Sequence, residues 1–265
     1  LVDNLSWRYM FFIAVPLTLI AVPMAMAFMP AREPDAGHPT FDWFGVGLLT
    51  VFLVTILTAL SNGPSDGWGA DNIALLFFAA AASGIAFVWW QTVTRHPILE
   101  VRLFANVPFL AASIVTFTIG VGLFGSTYLL PLFLQTAQGL TPTDSGLLML
   151  PAGLAMAVFF PIAGRLADSI SARRLILFGV FVFAASSLLL AGVDMDTPLF
   201  DIAFWTLLGR IGLSFIFPVL NAAALRPLPW QHLAQGSGII NFLRQLGGAF
   251  GVNLLAIFHQ RRTSF

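Results

Sequence analysis

Two arginines stand inside stretches that otherwise carry almost no charge: Arg210, in Gly209-Arg210-Ile211-Gly212, and Arg244, at the head of Arg244-Gln245-Leu246-Gly247. A guanidinium is a planar fork of N–H donors that stays protonated. In the middle of an apolar helix it costs about 2.5–3.5 kcal/mol on insertion scales, so it must face protein or water rather than hydrocarbon. Two roles fit. A cavity arginine pairs with a carboxylate of another part of the protein or with a substrate. A structural arginine bonds to backbone carbonyls or snorkels. Four amides, Gln135, Asn221, Asn241 and Gln245, lie in similar stretches. Each either lines a cavity or hydrogen-bonds between helices.

A second constellation is Gly164-Arg165-Leu166-Ala167-Asp168-Ser169-Ile170-Ser171-Ala172-Arg173-Arg174. Read as a loop between two apolar runs, it assigns each polar residue a task. Gly164 permits close helix approach, and Asp168 pairs with an arginine or caps the following turn. Arg173 and Arg174 pair with acids and with the C-termini of a neighbouring helix. The plainer alternative is an ordinary basic loop.

Other chemistries find little support. There is no cysteine, hence no disulfide or thiolate site. His38, His96, His232 and His259 sit in loops or at the ends of apolar runs without metal-ligand spacing, and no Ser/His arrangement suggests a protease. All twelve acids lie in loops or at helix ends. Gly120-Val121-Gly122-Leu123-Phe124-Gly125 fits a dinucleotide fingerprint, but lies inside an apolar run with no strand before it. Close helix packing explains it better, as it does Gly247 with Gly251. Asn4-Leu5-Ser6 is a formal glycosylation sequon and weak evidence by itself.

The elements that must position these residues follow from composition. Of 265 residues 58% are hydrophobic and 9% charged, with mean hydropathy +0.90. A soluble domain carries about 25% charged residues. A water-soluble enzyme, a disordered chain and a nucleic-acid binder are therefore excluded, and an all-α polytopic transmembrane bundle remains. Runs of the length needed to span a bilayer predict eight helices: Tyr9–Met29, Trp43–Leu60, Ile73–Val93, Pro108–Gln135, Ser145–Gly164, Leu175–Val193, Phe200–Leu225 and Gly236–Phe258. Pro16, Pro23, Pro131, Pro151, Pro161 and Pro218 fall inside them, as kinks or as hinges. Trp7, Trp43, Trp68 and Trp230 lie near the expected interfaces.

All twelve basic residues are arginine. Arg32, Arg95, Arg102, Arg165, Arg173, Arg174 and Arg226 fall in alternate connections, which the positive-inside rule makes cytoplasmic. Arg8, Arg261 and Arg262 then face outside.

With these motifs in order along the chain, the sequence resembles the major facilitator superfamily, and within it the fourteen-helix drug:proton antiporters of the EmrB/QacA type. Gly164, Arg165, Asp168, Arg173 and Arg174 match that family's gating loop between the second and third helices of a six-helix half, with Ser169 and Ser171 in place of the usual Arg and Gly. Trp7-Arg8-Tyr9 through Pro16 resembles its sixth helix, with Ala14 in place of Asn. Phe41-Asp42-Trp43-Phe44-Gly45 resembles the start of its first extra central helix. Leu130 to Gln135, Gln138 to Pro142 and Gly146 to Pro151 resemble the first two helices of its C-terminal half, and Arg244 to Gly251 its penultimate helix.

The resemblance implies a chain lacking the first five helices and the last one. Residues 1–30 are then the last helix of the N-terminal half, 31–107 the two extra central helices, and 108–265 the first five helices of the C-terminal half. It implies no enzyme but a multi-pass protein of the bacterial inner (plasma) membrane, exporting lipophilic or cationic small molecules by alternating access. The expected energy source is the proton gradient, with no cofactor, no metal and no nucleic acid. A periplasmic adaptor is an expected partner beside the lipid bilayer. The coupling carboxylates would lie outside this sequence, so it is not expected to transport alone. The alternatives are a non-transporting membrane scaffold and an exporter of a metabolite or siderophore.

Overall fold

The computed structural model describes residues 9–28 and 41–263. Eight α-helices follow one another there: α1 (Tyr9–Phe28), α2 (Trp43–Asp66), α3 (Asp71–Val93), α4 (Val107–Thr136), α5 (Pro142–Ser169), α6 (Ala172–Ala191), α7 (Leu199–Leu225) and α8 (Leu233–Thr263). Short 3-10 turns at Val101–Ala105 and Trp230–His232 precede α4 and α8. No strand occurs among the described residues. The expected helical bundle forms, and α2 to α7 are long and apolar enough to cross a membrane. The Asn4 sequon, Trp7, Arg8, Arg32 and His38 lie outside the described residues, as does the boundary at residue 30.

Helix ends depart from the hydropathy reading where polar residues continue a helix. Apolarity marks where oil ends, whereas helical hydrogen bonding runs on until a residue breaks it. α2 continues past Leu60 to Asp66 and takes in Pro64. α5 begins at Pro142, capped by Thr141, whose hydroxyl accepts from the Asp144 N–H at 3.1 Å. It continues to Ser169, so the expected loop from Gly164 to Arg174 shrinks to Ile170 and Ser171. Beyond the end of α4 at Thr136, the positive φ of 69° at Gly139 lets the Leu140 N–H return to the Leu134 carbonyl.

α7 is the centre of the bundle, with every residue from Gly212 to Phe217 buried. A helix apolar on all sides belongs in such a place. Its Leu213, Ile216 and Leu220 join Phe109 and Ile119 of α4 and Ile239 and Ile240 of α8 in the largest core cluster. Its Phe215 and Val219 meet Ala163 of α5 and Leu175 of α6. The outer faces of α5 and α6 instead expose Leu147, Leu150, Leu154 and Val158, and Leu177, Phe181 and Leu188. These are surfaces suited to lipid.

α4 and α8 lie along each other with backbones in contact. A Cβ added at Gly120 would strike the Arg244 carbonyl, one at Gly247 the Phe117 carbonyl, and one at Gly251 the Val121 carbonyl. The fingerprint-like glycines are thus packing glycines, as expected. α6 and α7 approach similarly, a Cβ at Gly179 falling 2.6 Å from the Gly212 carbonyl.

α2 and α3 form a hairpin that leans on α8. Asp42 ties its ends together. The carboxylate accepts from the Gly45 N–H at 2.8 Å, Trp90 Nε1 at 2.9 Å and Gln91 Nε2 at 2.9 Å. Buried Gln91 in turn accepts from the Leu99 N–H at 3.0 Å, and Leu99 and Leu103 of the following segment pack into the main core.

Candidate functional site

Arg210 and Arg244 both belong to one face of the bundle. On α7, positions 210, 217 and 221 fall within about 40° of one another at 3.6 residues per turn. Arg210 Nη2 donates to Thr127 Oγ1 of α4 at 2.9 Å, and that hydroxyl donates to the Leu123 carbonyl at 2.7 Å. One turn below Arg210 on the chain, Ser214 Oγ donates to its carbonyl. Arg244 of α8 donates to Asn241 Oδ1 one turn earlier and stands over the ring of Phe217, with Cζ 5.4 Å from the centroid. Phe217 is stacked on Phe160 of α5, centroids 6.3 Å apart and planes 11° from parallel. Helices α4, α5, α7 and α8 thus each supply a side chain.

The charge on this face is poorly answered. Among the described residues the two guanidiniums hydrogen-bond only to Thr127 and Asn241, both neutral. The nearest acid on α7, Asp201, is nine residues away, about 13 Å along the axis. A hydrogen bond to a charged group contributes about 1.5–3 kcal/mol. A cation over an aromatic ring adds about 0.5–2 kcal/mol. These roughly offset the insertion cost and leave most of each fork's donors without an acceptor among the described residues.

The four amides show no bond to another helix among the described residues. Asn241 Nδ2 donates within α8 to the Ser237 carbonyl at 3.1 Å. Gln135 and Gln245 are exposed and Asn221 is half-buried. Asn221 shares the face of Arg210, and Gln245 follows Asn241 by one turn. Interhelical bonding as their role is therefore not what the structure displays. Sequence reading did not single out Thr127, Phe160 or Phe217. The seven-residue step from Arg210 to Phe217 was the available signal, since it repeats a helix face.

The second constellation lies at the C-terminal end of α5 and runs into the start of α6. Gly164, Arg165 and Asp168 are helical, and Arg173 and Arg174 occupy the first turn of α6. A Cβ at Gly164 would meet nothing within 4 Å, so no close approach within this chain requires this glycine. Asp168 does not cap α6: Ser171 is its N-cap residue, without a side-chain cap bond. The side chains of Arg165, Asp168, Arg173 and Arg174 are exposed. Two cations in the first turn of a helix oppose its dipole, so they are not there to stabilise α6. A recess of about 280 Å³, lined by Asp168, Ser171 and Arg226 among others, sets this turn beside the end of α7. The turn that leads into Arg173 and Arg174 and the connection of Arg226 therefore share one end of the bundle, and Arg102 lies there too, beside Pro227 and His232.

At that same end, Asp42 is held as an anion. Desolvation alone would raise its pKa, but the bonds from Gly45, Trp90 and Gln91 outweigh it and hold the carboxyl below its ordinary value. At the opposite end a largely apolar recess of about 550 Å³ opens between α4 and α6, lined by Leu129, Phe133, Leu190 and Val193. Among the described residues no group of three or more His, Asp or Glu could hold a metal ion.

The model of the Major Facilitator Superfamily matches residues 1–252. The chain is 30% identical to the multidrug transporter protein MdtP of Bacillus subtilis, over 99% of this chain and 49% of that protein. It is 27% identical to the lincomycin resistance protein LmrB of Listeria monocytogenes, over 95% of this chain and 53% of the relative. It is 29% identical to the multidrug export protein EmrB of Haemophilus influenzae, over 98% and 51%. The chain spans about half the length of the curated relatives it matches.

Proposed function

We propose, from the premise that this chain belongs to the major facilitator superfamily and is a multi-pass membrane protein, that the protein carrying it exports lipophilic small molecules from a bacterial cell across the inner membrane. The observation that carries this reading is the run of relatives named for multidrug transport, multidrug export and lincomycin resistance along nearly the whole sequence. The geometry supports it. The face bearing Arg210, Phe217 and Arg244 combines guanidinium and aromatic groups on α7, which is long and apolar enough to span, and on the adjoining α8, which suits alternating access to a buried site. The exposed Arg165, Asp168, Arg173 and Arg174 are free to meet a second half of the transporter and so to act as a cytoplasmic gate.

On this reading the proton gradient drives export, and the coupling carboxylate is not among the acids of the described spans, which stand at helix ends. An adaptor protein would extend the path beyond the inner membrane. The test is retention of a panel of lipophilic compounds, anionic and neutral aromatic antibiotics included, in cells expressing the protein that carries this sequence. Retention is expected to fall below that of cells with an inactive control, and a protonophore is expected to erase the difference. Equal retention of every compound in the panel, at matched membrane expression, would overturn the reading.

A further inference from the structure

The geometry points to an organic anion carrying an aromatic ring, rather than a lipophilic cation, as the ligand of the face formed by Arg210, Thr127, Phe160, Phe217, Asn241 and Arg244. This rests on the export reading and narrows its cargo.

Three observations carry it. First, the two guanidiniums project from the same face. Arg210 shares its side of α7 with Phe217, and Arg244 stands over that ring, so the two charges are separated by about two helical turns, roughly 10 Å along α7. Secondly, among the described residues neither bonds to a carboxylate, and the partners they have are the neutral oxygens of Thr127 and Asn241. A cation approaching this face meets two like charges in a medium that screens them weakly. An anion meets two donor forks with most of their N–H groups still available. Thirdly, the near-parallel stack of Phe160 on Phe217 extends an apolar surface beside Arg244. An aromatic ring can lie against this surface while its acidic substituent reaches a guanidinium. The uncommitted amide Asn221, on the same side of α7 as Arg210, adds a neutral donor without adding negative charge.

The experiment compares three ligands that share one ring: 2-naphthalenesulfonate, N,N,N-trimethyl-2-naphthylammonium and 2-methylnaphthalene. Their binding to the protein carrying this sequence, purified in detergent, is measured by equilibrium dialysis. The sulfonate is expected to bind about tenfold or more tightly than the ammonium compound, the scale of one charged hydrogen bond. In the double variant Arg210→Gln and Arg244→Gln this ratio is expected to fall to about one, with 2-methylnaphthalene binding unchanged as the sign of an intact fold. An ammonium compound bound as tightly as the sulfonate in the unmodified protein overturns the inference with no variant needed. So does a ratio that survives in the double variant. Displacement of the sulfonate by phosphatidylglycerol but not by phosphatidylcholine would give the face to a lipid headgroup and overturn its assignment to cargo. Binding is read without transport, so absent efflux with an intact ratio defeats only the export reading. Efflux with a ratio of one defeats only this inference.

Discussion

Asp42 and the arginine pair Arg210 and Arg244 are all charged groups at or within the bundle, and they are treated oppositely. The carboxylate of Asp42 is surrounded by three donors, each within 2.9 Å, from its own helix start and from the end of α3. The guanidiniums, each able to make five hydrogen bonds, each have one neutral side-chain acceptor among the described residues. A charge whose acceptor sites are mostly taken up by its own chain has little left to offer a ligand and serves to hold elements together. A charge left mostly unsaturated contributes little to folding and keeps its donors for something that arrives later.

The largest effect that would break this contrast is on stability. Asp42→Ala removes the acceptor of three donors and is expected to destabilise the protein by about 3 kcal/mol, read as a lowered unfolding midpoint in detergent. A variant as stable as the parent would show that the saturated carboxylate holds nothing. Next, Arg210→Gln and Arg244→Gln should each change stability by less than about 1 kcal/mol, because the insertion cost relieved and the hydrogen bond lost are of similar size. A large loss at either position would make it a structural arginine.

A pH titration sharpens the same comparison. The folded pKa of Asp42 lies below its unfolded value, so its contribution is fully present above the ordinary carboxylate pKa of about 3.9 and is lost as pH falls through the lower folded value. The unfolding midpoints of the parent and of Asp42→Asn should therefore differ at neutral pH and converge only below about pH 4. Convergence already at pH 6 would refute the assignment. The smallest effect on the anion-to-cation ratio is expected for Phe217→Leu, which keeps an apolar side chain in the buried run of α7 and gives up the cation–π contact. About 0.5–1 kcal/mol of stability is at stake, and the anion-to-cation binding ratio should survive.

Hydropathy located eight helices, and six of them, α2 to α7, have the length and composition that crossing a bilayer demands. It misplaced the ends of α2 and α5 because Ser61, Asn62 and Asp66, or Arg165 and Asp168, leave the oil without leaving the helix. The paired arginines were legible as anomalies, since each interrupts an apolar run. Their shared face was not, because it depends on Phe217 lying under a side chain of α8. The Asp42 latch was beyond reach for a related reason. Nothing in the chain near Asp42 announces that Gln91, forty-nine residues on, will turn toward it. A glutamine placed directly after Trp89-Trp90 at the close of an apolar helix was the only hint.

The glycine seam between α4 and α8 has a mechanical consequence. Carbonyls of one helix occupy the space where the other would carry side chains, at Gly120, Gly247 and Gly251. With no bulky spacer between them, the two rods cannot rock apart independently without opening a void along their line of contact. They should swing as a single beam, so that a spin label fixed to the surface of α8 reports the tilt of α4 as faithfully as one placed on α4 itself.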